Sequence, residues 1–499
     1  MSHALLFSVF IVASCGLAYE LIAGALSSYL LGDSVTQFST VIGTYLFAMG
    51  VGSWLSRYII RSLIARFVQI EIIVGILGGF SAAVLFLTFS HLAGPFRLIL
   101  YGIVFALGVL VGMEIPLIMR ALKRELDFRD LVSKVLTFDY LGALAVSILF
   151  PLLLAPHLGL IRTALLFGIL NVLVALWALG LFREQIGAAR SLAVQSGVAL
   201  ALLGGGFAFA EKLTALSEEG IYSDQIVFAE STPYQRIVLT RWRDDLRLFL
   251  NGNLQFSSHD EYRYHEALVH PALATLAYPR RVLILGGGDG LAAREVLKYP
   301  RVESITLVDL DPRMTGLFGR VQQLRELNRD ALNSPKLRIV NRDALLWMEE
   351  STEYFDFIVI DFPDPSNYSL GKLYTSAFYR MLEKRLSATG LAVVQSTSPL
   401  YARQSFWCIV NTIESVGLKT APYHAYVPSF GEWGYVVVAR GEFLPPAKYD
   451  VELKFITPAI TRTLFEFPAD MGRVDTEINR LNNQVLVRYF ETEWRRVLR

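Results

Sequence analysis

At 499 residues the chain is too long for one domain, and with 53% hydrophobic residues and a mean hydropathy of +0.43 it is too apolar for an ordinary soluble protein, so a membrane portion is expected. A formal net charge of +1 leaves no nucleic-acid footprint and no acidic tail. The two cysteines, Cys15 and Cys408, have no neighbours spaced like a zinc or redox motif and read as packing residues, so no disulfide framework constrains the compartment.

From Ala4 to about Ala210 the chain is a series of apolar stretches near the roughly 20-residue length that crosses a bilayer. Spans are expected at about Leu5–Leu30, Phe38–Trp54, Ile70–Phe89, Phe96–Met119, Thr137–Leu154, Leu158–Phe182 and Ala193–Ala210, giving a multi-pass transmembrane domain over 1–210. The first stretch is not a cleaved signal: its apolar run is too long, its front end lacks a cationic region, and further spans follow. Small-residue patterns such as GLAYELIAG and GTYLFAMGVG suit close helix contacts in lipid. Acids fall inside predicted spans, among them Glu20, Glu114 and Asp139, and acids there cost several kcal/mol unless buried or paired. Glu114 and Asp139 are placed to pair with Arg120 or Lys134 near an interface, whereas Glu20 is mid-span and is the best candidate for contact with a transported cation.

Arg57, Arg61 and Arg66 follow the second span, Arg120, Lys123, Arg124, Arg129 and Lys134 the fourth, and Arg183 and Arg190 the sixth. The positive-inside rule puts those loops and the amino terminus in the cytoplasm, and a seventh full span would then export everything that follows.

After Glu211 the composition is that of a soluble α/β domain. Alternating residues between Asp224 and Phe256, punctuated by WRDD and NGN, predict a small antiparallel sheet (221–260), with Asn251-Gly252 as a strong hairpin signal. Strands at Val282–Leu285, Ile305–Val308, Leu337–Val340, Phe357–Ile360 and Leu391–Gln395 then alternate with helical segments, and a last pair is expected from Tyr423–Tyr426 and Tyr435–Ala439. This order predicts a mainly parallel Rossmann-like sheet over 261–445 with helices on both faces. A helical tail (446–499) either packs on this half or makes a homodimer contact.

The most informative stretch is RRVLILGGGDGLAAREVLKYPRVESITLVDLD, from Arg281 to Asp311. Glycines such as Gly286 and Gly288 let the backbone approach a ligand closely, and an acid about 20 residues beyond such a turn, here Asp309, can hold a ribose diol. Asp289 lies inside the glycine turn, where a carboxylate repels phosphate and attracts a cation. A nucleoside with a positive arm fits both features. Asp289, Asp309, Asp343 and Asp361 all fall at or just beyond predicted strand ends, where ligands bind in such sheets.

With the flanking segments GNLQFSSHDEYRYHEALVHPAL and NRDALLWM…FDFIVIDFPDPSNYSLGKLYTSAFYRML, the chain from about Asp224 to Arg440 resembles the spermidine synthases, the polyamine aminopropyltransferases. The apolar half resembles, more loosely, the multi-pass segment fused to synthase-like domains in many bacteria. The family resemblance implies transfer of an aminopropyl group from decarboxylated S-adenosylmethionine, a co-substrate, to an amine, putrescine by default, giving spermidine and 5′-methylthioadenosine. By the same resemblance Asp361 is the proton acceptor, Asp364 and Asp289 bind ammonium groups, and Tyr264 and His265 orient the reacting amine. Asp309 is implied to hold the ribose, Asp343 with Ala344 to meet the adenine where the family usually has Asp-Gly, and Gln235 and Gln255 to position the donor. His270 reads as structural, and Tyr374 as either a pocket wall or a packing aromatic. No metal and no permanently bound cofactor are implied; the partners are a polyamine substrate and the lipid of the cell's inner membrane, with the catalytic half in the cytoplasm, where the donor is made.

Departures from the family pattern gather where the acceptor should sit. Ser366-Asn367-Tyr368 replaces Ile/Met-Gly-Pro, VPSFGEWGY replaces a Pro-Thr-Tyr-Pro-Ser-Gly-like loop, and STSPLYARQSFW replaces an acid-containing Gly-Glu segment. The alternatives are another S-adenosylmethionine-dependent transferase on the same fold, against which the acid-lined pocket argues by repelling the intact donor's carboxylate, and a polyamine transporter or sensor whose soluble half only binds.

Overall fold

The computed structural model describes residues 2–31, 34–91, 95–123, 127–219, 222 and 224–497. Arg124, Arg499 and positions 221 and 223 of the expected sheet element lie outside them. The chain divides into two compact units, Met1–Ile226 and Val227–Arg499.

The first unit is helical: α1 Ser2–Leu31, α2 Ser34–Ser56, α3 Leu63–His91, α4 Phe96–Leu122, α5 Phe128–Leu149, α6 Ala155–Leu181, α7 Ala189–Ala208 and α8 Ala210–Glu219. A π-helical turn, Phe150–Leu154, joins α5 to α6 and makes the apolar run from Arg129 to Leu181 nominally continuous over 53 residues. Such a run would be far longer than the ~30 Å apolar thickness of a bilayer. It is in fact broken at Gly159, which has φ +73°. Ser14 and Cys15, neighbours on α1, donate to the Gly142 and Phe167 carbonyls. Those acceptors would lie ~37 Å apart on one straight helix, so the chain reverses between them. The described residues therefore hold seven long apolar helices, and the break falls at the second residue of the sixth expected span, just past the interruption expected at 155–157. Close backbone contact explains the small residues: a Cβ on Gly52 of α2 would stand 2.0 Å from the Val109 carbonyl oxygen of α4.

The expected pairing of the acids does not occur. Arg120 donates to the Ser56 and Ile59 carbonyls and Lys134 pairs with Asp130, so Glu114 is buried without either. Asp139 is half-buried and Glu20 buried.

The second unit begins with a four-stranded antiparallel sheet in chain order, β1 Gln225–Ser231, β2 Arg236–Trp242, β3 Asp245–Leu250 and β4 Asn253–Ser257. The Asn251-Gly252 turn joins β3 to β4 with both residues at positive φ, as a type I′ hairpin requires. There follow α9 Glu261–Leu273, β5 Arg281–Gly286, α10 Leu291–Leu297, β6 Ser304–Asp309, α11 Pro312–Arg320, α12 Gln322–Leu327, β7 Leu337–Asn341, α13 Ala344–Glu350 and β8 Phe355–Asp361. The chain continues through α14 Tyr368–Gly371, α15 Ser376–Arg385, β9 Leu386–Gln395, α16 Arg403–Glu414, β10 Lys419–Val427 and β11 Gly431–Ala439. The seven strands lie in the order β10-β11-β9-β8-β5-β6-β7. Strands β7 to β9 of this order run parallel, and the β10–β11 hairpin adds an antiparallel edge. The apolar runs of β5 and β8 are buried on both faces, the usual state of strands covered by helices on each side.

The tail is helical only at α17 Pro458–Leu464 and α18 Val485–Val497. Between them the backbone is held by side chains of the sheet domain, not by its own ladder. Trp407 Nε1 donates to the Met471 carbonyl, and Thr412 Oγ1 accepts the Asn479 amide. The tail thus packs on its own unit, with Glu266 accepting the Lys454, Phe455 and Ile456 amides.

Candidate active site

Strand β5 has β6 on one side and β8 on the other, and the reversal of strand order between them opens a crevice at the carboxyl ends. Gly286 and Asp361 are register partners there. Gly286 has φ +83°, and a Cβ on it would stand 2.1 Å from the Asp361 carbonyl oxygen, so only glycine lets the chain leave β5 at this point. Gly288 brings its N–H to 3.0 Å from Asp309 Oδ2, an approach that a side chain would block.

Asp361, at the end of β8, accepts a 2.6 Å hydrogen bond from the Tyr264 hydroxyl of α9. Burial raises its pKa to about 6; the nearby His265 charge pulls it down, Asp289 pushes it up, and the Tyr264 bond lowers it. Asp364 follows in the same turn and accepts from Gln395 Nε2 at 3.2 Å and Thr397 Oγ1 at 3.3 Å. Burial outweighs those two bonds and lifts its pKa to about 7. Asp289 is buried, accepts the Leu291 amide at 2.9 Å, and is likewise raised by burial, with the His265 charge opposing.

His265 Nδ1 lies 2.8 Å from both the carbonyl oxygen and Oε2 of Glu261. Both only accept, so Nδ1 carries the hydrogen. Glu261 in turn receives Arg294 bidentately, at 2.8 Å on each oxygen. Burial disfavours a charged imidazole, but the Glu261 bond and charge, aided by Asp289 and Asp361, prevail and raise His265 to about 9. The imidazole thus lies within electrostatic reach of the Asp289 and Asp361 carboxylates. The walls are aromatic: Tyr264 packs on Tyr435 and Phe430, and Phe430 on Trp433, with ring centroids 5.6, 6.0 and 5.1 Å apart. Carboxylates that exchange protons near neutrality inside apolar walls suit an aliphatic amine, holding it as ammonium and accepting its proton.

The donor-side residues cluster one strand away. Asp309 accepts the Gly288 and Asp311 amides, and burial raises its pKa to about 6 against those bonds. Gln235 reaches this group by donating to Asp311 Oδ2 at 3.0 Å. Asp343 caps α13, with Ala344 as its first residue, and takes Lys372 Nζ at 2.6 Å. Burial works against its charge, but Lys372 and the capped amides hold its pKa below the usual carboxylate range. Gln255 is different: its amide turns to the Asn253 and Leu254 carbonyls, and no hydrogen bond links it to the cluster. His270 is fully buried between Glu295 and Tyr299, and the Tyr374 hydroxyl donates to the Phe362 and Pro363 carbonyls, bracing the Asp361–Asp364 turn.

Sequence reasoning missed several residues. Gln395, at the end of β9, donates to the Phe362 carbonyl and Asp364 while accepting Trp433 Nε1 and the Thr397 amide. Thr397 sits at φ +56°, unusual for a β-branched residue. A polar residue ending an otherwise apolar strand was the available signal for Gln395. Glu261 and Arg294 had none, being paired only through the fold. Of the divergent VPSFGEWGY loop, Phe430 and Trp433 reach the cluster, whereas Glu432 pairs with His424. Among the described residues no three His, Cys, Asp or Glu side chains are grouped as a metal site would need.

The spermine/spermidine synthase domain family matches residues 261–444. Polyamine aminopropyltransferase 2 of Ralstonia nicotianae is 57% identical over 99% of this chain and 99% of its own length. The polyamine aminopropyltransferase of Leptospira interrogans is 53% identical over 100% of both chains. Among solved structures, a spermidine synthase in complex with the transition-state analogue AdoDATO is 27% identical and aligns with a TM-score of 0.46, covering 49% of this chain and 86% of the other.

Proposed function

Because the chain belongs to the polyamine aminopropyltransferase family, we propose that it transfers the aminopropyl group of decarboxylated S-adenosylmethionine to putrescine, giving spermidine and 5′-methylthioadenosine. The observation that carries this reading is the Asp361 site, a carboxylate with a pKa of about 6 held by Tyr264 beside Asp289 and His265, with Asp364 one turn on. An alkylammonium, with an unperturbed pKa near ~10.4, has no lone pair until it loses a proton. Asp361 takes that proton; the freed amine attacks the aminopropyl carbon beside the sulfonium, the new C–N bond forms as the C–S bond breaks, and the thioether leaves. Asp364 and Asp289 hold ammonium charge, Tyr264 and His265 orient the reacting amine, and Phe430 and Trp433 cover the methylenes between. On the donor side Asp309 holds the ribose, Asp343 with Ala344 meets the adenine, and Gln235, Gln255, Gly286 and Gly288 shape the cradle. No metal and no bound cofactor enter this reading.

Donor selection follows from charge. Intact S-adenosylmethionine carries a carboxylate that Asp289 and Asp361 repel, so the parent protein is expected to bind the decarboxylated donor and methylthioadenosine more tightly than the intact one. Asp289→Asn is expected to narrow that gap. Calorimetric titration of the three ligands tests it, and tighter binding of intact S-adenosylmethionine would favour methyl transfer instead. Acceptor identity is tested by offering putrescine, cadaverine and spermidine with the decarboxylated donor and weighing the products by mass spectrometry.

We read α1 to α6 as crossing the cell membrane, α7 as not crossing it fully, and the transferase half as cytoplasmic, where its donor is made. The 20 residues of α7 amount to ~30 Å of helix, enough to cross, and a full crossing would put the two chain ends on opposite sides. A carboxy-terminal reporter fused after Arg499 is expected to report the cytoplasm; an external signal would show that α7 crosses fully and that the donor must be supplied outside.

A further inference from the structure

Helices α1, α3, α4 and α6 meet around two carboxylates that aminopropyl transfer does not use. Glu71 of α3 is fully buried, and Glu114 of α4 is 1% exposed. Glu71 Oε2 accepts from Asn171 Nδ2 at 2.6 Å, and Asn171 Oδ1 accepts from the Tyr19 hydroxyl at 3.1 Å, tying α3, α6 and α1 at one level. Glu114 approaches the same turn of α1 from another side. Gly16, one turn before Tyr19, packs on Val111, one turn before Glu114, and takes the Tyr45 hydroxyl of α2 on its carbonyl. Both acids lie within electrostatic reach of Cys15 and Tyr19, and of each other. Glu71 is ~12 Å from the start of α3 and Glu114 ~12 Å from the end of α4, and in an up-and-down bundle those two ends face the same side, the one carrying Arg57, Arg61, Arg66, Arg120 and Lys123.

Oε1 of each acid is buried and makes no hydrogen bond. A buried, unpaired acceptor costs on the order of 1–3 kcal/mol and more if charged, and in a bilayer such an acid marks a functional site by default. Nearby cations are engaged elsewhere: Arg120 on the Ser56 and Ile59 carbonyls, Lys134 on Asp130, Arg162 on Glu211. Among the described residues no arginine, lysine or histidine pairs with Glu71 or Glu114. What neutralises them is therefore a proton on each carboxyl or a cation from outside the chain. An alkylammonium offers three N–H donors to the two orphaned oxygens, and the rings of Tyr19 and Tyr45 suit both its charge and the methylenes behind it.

We propose that Glu71 and Glu114 form a second polyamine site, within the helical unit, that holds one protonated amine of the chain's own substrate or product. This rests on the reading of the soluble half as a polyamine-forming enzyme, and it replaces Glu20 as the acid that meets the cation.

The test uses the full chain in lipid nanodiscs. Radiolabelled spermidine binding is expected to show two classes of site, one lost in Glu71→Gln and Glu114→Gln while turnover of the same preparations stays within twofold of the parent. A binding stoichiometry unchanged in both variants overturns the proposal. In the unaltered chain, dicyclohexylcarbodiimide, which labels apolar carboxyls, is expected to modify Glu71 or Glu114, and excess spermidine, but not equal ionic strength of NaCl, to suppress that label at least fivefold. Labelling that spermidine leaves unchanged means the two acids hold only protons, which also overturns it. Loss of aminopropyl transfer in the parent would sink the reading of the soluble half instead, so the two failures are separable.

Discussion

Asp361→Asn is expected to lower turnover by about 10²–10⁴-fold, the usual contribution of a positioned general base, while the protein still folds and binds methylthioadenosine. Asparagine keeps the shape and can still accept the Tyr264 hydroxyl, so the wall formed by Tyr264, Tyr435 and Phe430 should survive. What is lost is the capacity to take a proton. The parent's kcat/KM should therefore rise with pH through about 6, as Asp361 loses the proton that burial helps it keep, and this acid limb should be missing from the variant. A purified Asp361→Asn protein that transferred aminopropyl groups at the parent rate would remove Asp361 from the mechanism.

Much of the sheet was legible because its strands are apolar runs with polar ends. Val282–Leu285, Ile305–Val308 and Phe357–Ile360 each lie inside an observed strand that extends by one or two residues. Strand β9 starts earlier than its apolar run suggests, since its first half, Leu386 to Gly390, is a mix of small and polar residues after Leu386 and passes a register shift against β8. The tail misled more. Leu481, Val485 and Val487 suggest helical period, yet in this segment the helix begins only at Val485, because before it the Val474 carbonyl accepts from Asn411 Nδ2 and the Asn479 amide donates to Thr412 Oγ1. Capping also blurs the acids: Asp343 after β7 is a helix cap as well as a candidate adenine contact, whereas Asp309 and Asp361 are not caps.

In the helical half, hydropathy located the helices but not the partners of the acids. Glu114 lies one to two turns from Arg120 along α4, which makes pairing plausible in sequence, but the guanidinium is drawn to carbonyls at and just beyond the end of α2, Ser56 and Ile59. Glu71 passed unremarked because it follows Phe67, Val68 and Ile70 near the start of a long apolar run, and its contact with Asn171 joins residues far apart in the chain.

Glu261→Ala is expected to be the most destabilising single change near the site. Glu261 is 4% exposed and compensates two buried cations, Arg294 at 8% and His265 at 2%. Burial alone would raise the Glu261 pKa, but the bonds from His265 and Arg294 prevail and lower it. Removing one partner of a buried pair costs about 3–5 kcal/mol, because the remaining charge is left unpaired, and for a unit of this size that corresponds to a melting temperature lower by about 6–20 °C. The pH dependence identifies the His265 share. Its pKa is raised from 6.5 to about 9, so the stability it contributes is complete below 6.5 and fades as pH rises through about 9. The Glu261 share, from a lowered pKa, is present above its ordinary value and fades only in acid. Parent stability should thus decline between pH 7 and 9 by an increment that Glu261→Ala lacks. Glu261→Gln, which keeps one acceptor, should recover part of the melting temperature but not that increment, and its kcat should fall more than its affinity for methylthioadenosine, since the His265 charge acts on Asp289 and Asp361. Calorimetric unfolding of the three proteins across this pH range decides it: if Glu261→Ala melts within a degree of the parent, Arg294 and His265 do not depend on this carboxylate.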